Sequence, residues 1–236
     1  WEIDADGATF WLREDARWHD GKPVTAHDFV FAWRRVVDPA IASNAEGFEA
    51  IANATAIVES RMPVTALGVR ARSDRELEVS FDFPDPFFAR KVASPVLLPV
   101  REDVVRAQGQ AFAADHDRLA FNGPFVITEW AHDQRLRLGR NPEYWNEEAV
   151  WLSNIHWDYI TADRRAQANL FRDGQIAFTT LDASTLPDAL ARGERIEPYR
   201  SGAISFVTFN FSPDHPPRSR HLREALAKVG DPRLVV

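Results

Sequence analysis

Ten consecutive residues, Asp20 to Phe29 (DGKPVTAHDF), leave the chain few conformational options. Asp20-Gly21 is a strong turn signal. After Pro23, Thr25 and Asp28 have the spacing of a helix capping box, with Asp in place of the usual Glu. Val24 and Phe29 occupy the two positions of a hydrophobic staple around that cap. The segment predicts a turn followed at once by a helix, in which Phe29, Trp33 and Val36 recur at helical spacing and which Asp38-Pro39 ends. Just upstream, ATFWLRED (8–15) reads as a strand with Phe10 and Leu12 on one face and Thr9, Trp11 and Arg13 on the other.

The same reading extends along the chain. A second helix is expected over 45–60, with Phe48, Ile51, Thr55 and Val58 on one side. In ELEVSFDF (76–83), Leu77, Val79, Phe81 and Phe83 alternate with polar residues, the pattern of a half-buried strand. A new unit is expected near Arg101. FVITEW and RLRLGR flank the turn AHDQ as a hairpin. NPEYW is a turn carrying two aromatics, and LSNIHWDYI alternates with Ile155, Trp157 and Tyr159 on one face. Asp163 should cap a helix that ends before Gly174. QIAFT reads as a short strand, Ser184 as the cap of a helix stopping at Gly193, ISFVTFNF (204–211) as a strand, and 219–229 as a final helix. Strands and helices alternate with hairpins and strand-helix-strand units, which argues for an α/β, mixed-sheet architecture.

The 236 residues suit one large domain or two small ones, and 45% apolar residues suffice for a core. The longest apolar runs are broken by proline and too short to cross a bilayer. With 28 basic and 35 acidic residues the formal charge is −7, and no run of Lys or Arg could track a phosphate backbone, so nucleic-acid binding is disfavoured. The absence of cysteine excludes disulfides, thiolate zinc sites and cysteine nucleophiles. The sequence shows no leader at Trp1, which suits either a cytoplasmic protein or one whose N-terminal part has been removed.

Four of the seven histidines, His19, His27, His116 and His132, are followed directly by aspartate. Such pairs could ligate the metal of a phosphohydrolase. Each Asp, however, stands where a short acidic side chain serves nearby backbone N–H groups: Asp20 and Asp133 in turns, Asp28 at a helix start and Asp117 in a polar loop. No strand–GxSxG–helix elbow and no Gly-rich phosphate loop is present. The eight tryptophans are expected to pack in the core and at domain contacts rather than to form a sugar-stacking platform.

LREDARWHDGKPVTAHDFVFAWRRVVDP, LGVRARSDRELEVSFDFPDPFF, NGPFVITEW, LGRNPEYW, LFRDGQIAF and FVTFNFSPDHPPRSRHLREALA occur in that order. Together they resemble family 5 extracellular solute-binding proteins, the oligopeptide- and dipeptide-binding components of ABC importers. The resemblance covers essentially the whole chain. It implies a type II periplasmic-binding-protein-like fold, here lacking most of the second lobe. By analogy, residues 1–100 would form the extra domain typical of the family plus the edge of lobe one. Residues 101–198 would form part of lobe one, and 199–236 the hinge and the start of lobe two.

The resemblance also implies a non-enzymatic protein without cofactor or metal that binds a peptide or another small solute between lobes and delivers it to ABC permease subunits. It would be a monomer located in the periplasm, or outside the cell on a membrane anchor from a removed N-terminal segment, and not itself inserted in the membrane. The ligand-contacting positions it marks are Asn44 and Ala45 in the loop after Asp38-Pro39, Ser94, Thr180 and Leu181, and Tyr199, Ser201 and Gly202. Some relatives carry an aromatic residue in the first loop and a basic or aromatic one at the second position. A cytoplasmic ligand-sensing domain of the same fold, attached to a transcription regulator, is the nearest alternative. A metal-dependent phosphohydrolase is a weaker one.

Overall fold

The structure, a computed structural model, describes residues 1–41, 45–158, 161–199 and 220–229. Its contacts divide the chain into two compact units, Trp1–Ile160 and Thr161–Val236.

The first unit is built on a four-stranded antiparallel sheet of β1 (Glu2–Ile3), β2 (Gly7–Trp11), β3 (Val69–Ser73) and β4 (Glu76–Ser80), in the order β1-β2-β4-β3. The register sets Ala8 against Val79, Phe10 against Leu77 and Val69 against Val79. Alternation therefore gathers the apolar side chains on one face. Helix α1 (Ala26–Val36) covers that face. Trp33, 1% exposed, meets Phe29, Phe48 and Phe88 edge-on and donates from its indole nitrogen to the Leu97 carbonyl at 2.9 Å. On the opposite, wet face Glu78 pairs with Arg70 and Arg72, and these cations, Arg70 first, lower its pKa to about 2.

The start of α1 follows the expected pattern with one addition. Asp28 Oδ2 accepts from the Thr25 N–H at 2.8 Å and from the Thr25 hydroxyl at 3.2 Å. It also accepts from the indole N–H of Trp18 at 3.2 Å. Trp18 is 1% exposed, so its only side-chain donor would otherwise be left without a partner. The preceding turn is pinned through Asp20 to Arg101. Arg101 is 6% exposed and also binds Asp103 at the start of α4 (Glu102–Gln108). Lys22 adds a contact to Asp103 at 3.1 Å.

Two expectations fail in instructive ways. Residues 45–53 do not form a helix, and only α2 (Ala54–Val58) is helical. Gly47 and Asn53 have φ of +94° and +68°, outside the right-handed helical region. The segment runs along the end of β4 instead: Ala52 N–H bonds to the Ser80 carbonyl at 2.8 Å, Asp82 N–H to the Ala50 carbonyl at 2.9 Å, and Ile51 bridges Phe81. Burial of Phe48 and Ile51 from this extended path overrides their helical spacing. Phe83, expected on the buried face, lies beyond β4 and is exposed.

A second sheet in the same unit contains β5 (Phe125–Ala131), β6 (Arg135–Arg140) and β7 (Asn154–Trp157), antiparallel in that order. The hairpin turn carries Asp133 at φ +59°. Asn141, fully buried, donates from its side chain to the Gly123 carbonyl at 2.8 Å and accepts from the Glu143 N–H at 3.1 Å, so it ties the NPEYW turn to the segment before β5. The His19 N–H, bonded to the Phe121 carbonyl at 2.7 Å, ties the segment before β5 to the first sheet's turn.

In the second unit Asp163 caps α5 (Arg164–Arg172) through the Arg165 and Ala166 N–H groups. The N–H groups of Gly174 and Gln175 close its end on Phe171 and Leu170. QIAFT forms bends rather than a strand, with Phe178 exposed. The cap of α6 (Leu186–Ala191) differs from expectation. Asp182 accepts from the N–H and hydroxyl groups of both Ser184 and Thr185, so Ser184 is a donor to the cap and Thr185 the boundary residue. Arg172 joins the two helices through Asp188 at 2.6 Å and Glu194 at 2.9 Å. Helix α7 spans Arg220–Val229. The strand expected at 204–211 lies outside the described residues.

Candidate functional site

The loop after Asp38-Pro39 and the turn at Ala93–Pro95 meet in the first unit. They form an open cleft of about 470 Å³ lined by Glu46, Gly47, Glu49, Lys91, Ser94, Val96 and Leu97. Ala45 itself packs against the core, and the two residues after it face the cleft. Gly47, in the left-handed region, directs its N–H to both oxygens of Glu49 at 3.0 and 3.1 Å.

The opposite wall is one turn of helix, α3 (Phe88–Lys91). Phe88 is fully buried against Phe10, Trp33 and Phe81. Asp85, 7% exposed, accepts the Phe87 N–H at 3.0 Å, and its other oxygen lies 2.7 Å from Lys91 Nζ. Glu49 approaches the same ammonium at 3.9 Å. Ser94 is held by its N–H on the Lys91 carbonyl at 2.8 Å and accepts the Leu97 N–H on its own carbonyl at 3.0 Å. The cleft thus has a charged mouth, a hydroxyl and an apolar floor, the composition of a small-ligand pocket. Glu46, Glu49, Asp85 and Lys91 were not singled out in the sequence. The available signal was Asp85 between two prolines, an acidic residue placed to cap the turn of helix that carries Lys91.

Thr180, Leu181 and Tyr199 belong to the second unit. Thr180 accepts from Arg164 at 2.6 Å, Leu181 is half-buried, and Tyr199 is exposed. Asn44, Ser201 and Gly202 lie outside the described residues.

The His-Asp pairs do not converge. His27 lies 3.4 Å from Asp74 at the surface, His19 accepts the Phe121 N–H at 3.2 Å, and His132 stacks on Trp130. Among the described residues no three His, Asp or Glu side chains gather in a metal-binding arrangement. The tryptophans correct the expectation of core packing in part. Trp18 and Trp33 are buried, whereas Trp1, Trp11, Trp145, Trp151 and Trp157 are exposed. Trp11 and Trp145 flank a smaller concavity of about 280 Å³, with the Arg13 guanidinium 3.5 Å over the Trp145 ring.

Residues 1–233 match the family described as "Bacterial extracellular solute-binding proteins, family 5 Middle". Across the whole chain it is 34% identical to the probable deoxycholate-binding periplasmic protein YgiS of Escherichia coli and 31% identical to the dipeptide-binding protein DppE of Bacillus subtilis. It spans 44% and 43% of those proteins, less than half their length. Similar solved structures include Haemophilus influenzae OppA in complex with RPPGFSPFR, with a TM-score of 0.76 and 31% identity over 81% of this chain and 38% of that one. The substrate-binding domain of an oligopeptide ABC transporter from Bacillus anthracis gives a TM-score of 0.75 and 37% identity over 80% and 36%. The fold is the type II periplasmic-binding-protein-like α/β fold, of which this chain carries a part. With its ordered motifs, its paired loops and the match over residues 1–233, the chain belongs to the bacterial extracellular solute-binding proteins of family 5.

Proposed function

We propose that the chain is part of the substrate-binding component of an ABC import system, which takes up peptides outside the cytoplasm and delivers them to a membrane permease. The observation that carries this reading is the family match over residues 1–233, whose relatives and solved neighbours include dipeptide- and oligopeptide-binding proteins alongside a probable deoxycholate-binding one. The cleft supports it: the two first-unit loops marked by the resemblance line one concavity instead of lying apart. Peptide recognition of this kind combines main-chain hydrogen bonds with roomy side-chain pockets.

In this reading residues 1–100 form the family's extra domain plus the edge of lobe one, 101–198 part of lobe one, and 199–236 the hinge and the opening of lobe two. Asn44, Ala45, Ser94, Thr180, Leu181, Tyr199, Ser201 and Gly202 contribute ligand contacts once the lobes close. The protein works as a monomer, uses no cofactor and catalyses no reaction. It resides in the periplasm or on the outer cell face, held there by an anchor. Among the described residues no helix is long and apolar enough to cross a membrane.

Native mass spectrometry of the full-length protein, followed by calorimetry with short peptides, tests the reading. Co-purified peptide and saturable peptide binding are expected. A sugar or metal complex as the sole bound species, with no peptide affinity, overturns it.

A further inference from the structure

The sequence contains four steps in which Asn or Asp precedes glycine: Asp6-Gly7, Asp20-Gly21, Asn122-Gly123 and Asp173-Gly174. Three of them have the glycine N–H committed. Gly7 donates to Asp4 Oδ1 at 2.9 Å, Gly21 to the Trp18 carbonyl at 2.8 Å and Gly174 to the Phe171 carbonyl at 3.0 Å. Asn122-Gly123 differs. Neither the Gly123 N–H nor the Asn122 side-chain amide makes a hydrogen bond to any described residue. The other described asparagines lack this combination. Asn141 precedes Pro142, which has no N–H. Asn53 and Asn146 precede residues whose N–H groups bond to the Ile51 and Tyr144 carbonyls, both at 3.0 Å. Asn154 and Asn169 lie within β7 and α5.

The free amide and the free N–H suit one reaction. They belong to adjoining residues, and glycine has no Cβ to obstruct a five-membered ring between them. We propose that Asn122 is a site of spontaneous deamidation. The Gly123 nitrogen bonds to the side-chain carbonyl carbon of Asn122, and the bond from that carbon to the amide nitrogen breaks. The amide nitrogen leaves as ammonia, carrying the proton given up by Gly123. One water then opens the resulting succinimide. Attack on its side-chain carbonyl leaves aspartate, and attack on its main-chain carbonyl leaves isoaspartate. Asn122 lines the concavity beside Trp11, Arg13 and Trp145, so either product adds a carboxylate there. Isoaspartate also lengthens the main chain by an extra atom, and the neighbours on both sides are pinned. The Phe121 carbonyl accepts the His19 N–H at 2.7 Å, and the Phe121 N–H donates to His19 Nδ1 at 3.2 Å. The Gly123 and Pro124 carbonyls both accept from Asn141, at 2.8 and 2.9 Å. An extra atom between these two attachments puts them out of register, so isoaspartate loosens the join.

The test incubates the full-length protein at mildly alkaline pH, where the attacking nitrogen gives up its proton more readily, and follows each asparagine by peptide mapping and mass spectrometry. Conversion of Asn122 should run ahead of every other asparagine, with release of ammonia. Gly123→Ala should slow it about ten-fold, an added barrier of about 1.4 kcal/mol. That variant should fold, because Gly123 lies outside the left-handed region and a Cβ there would meet nothing within 4 Å. The isoaspartate form, separated by ion exchange, should unfold at a lower urea concentration than the parent. An Asn122 that persists unchanged, or equal rates in the parent and in Gly123→Ala, overturns the proposal. An isoaspartate form as stable as the parent overturns its structural consequence.

Discussion

Arg101→Met is the most informative single perturbation of the first unit. It keeps an unbranched apolar stem beneath Trp18 and removes only the guanidinium, which bonds to Asp20 at 3.0 and 3.1 Å and to Asp103 through Nε at 2.6 Å. Arg101 is nearly buried, but the Asp20 and Asp103 side chains are 37% and 55% exposed, so solvent screens both pairs. Each is then worth about 1 kcal/mol, far below a fully buried pair. Loss of both should cost roughly 2 kcal/mol, a fall of about 4–8 °C in Tm for a unit of this size. Lys22 stays between the two carboxylates and limits their repulsion.

The loss must also depend on pH in one direction. Hydrogen bonding from Arg101 lowers the Asp103 pKa below its ordinary 3.8, against the opposing effect of burial. For Asp20, burial alone would raise the pKa, but Arg101 and the Lys22 N–H together bring it below the same value. Groups with a lowered folded-state pKa stabilise fully above the unfolded value and lose that contribution as pH falls through the folded one. Urea unfolding of the wild-type and variant chains should therefore show a smaller difference at about pH 3 than at pH 7. A difference that is the same at both pH values, or absent at pH 7, refutes the reasoning.

Further outcomes follow from the same geometry. Asp28→Ala should destabilise by about 2 kcal/mol in denaturant melts, and Thr25→Ala by about 1 kcal/mol, because Asp28 also serves the buried Trp18 indole. Gly7→Ala should unfold the first sheet or weaken it severely by circular dichroism, since a Cβ there would lie 2.2 Å from the Val79 carbonyl oxygen. An NMR titration should place the Glu78 carboxyl near 2, well under its ordinary 4.5, and Arg70→Ala should move it upward. Trp33→Ala should cost roughly 3–5 kcal/mol by calorimetric unfolding, because the cavity would open among Phe29, Phe48 and Phe88.

Local chemistry was legible in the sequence where one residue acts on its near neighbours. The Thr25–Asp28 cap, the 125–140 hairpin and the start and end of α5 all appear where the residue types placed them. Long-range partners were not legible. Nothing local in Arg101 announces a pairing with Asp20 across 81 residues. Helical spacing over 45–60 misled because Phe48 and Ile51 are buried from an extended path along β4, and tertiary packing decides such short apolar patterns. The cleft followed the same division. Family motifs marked its two loops, while the Lys91–Asp85 pair emerged only from the fold of α3.

The two walls of the cleft differ in their freedom to change. Lys91 sits on the single turn of α3, and that turn is rooted in the aromatic core through Phe88. Glu46 and Glu49 are exposed residues of the segment facing it, between which Phe48 is buried. Under the proposed function, ligand preference can therefore drift through substitutions on one side alone, with little tax on folding. A lineage of such proteins could diversify its diet by altering a few rim residues, while the helix opposite serves as an inherited template.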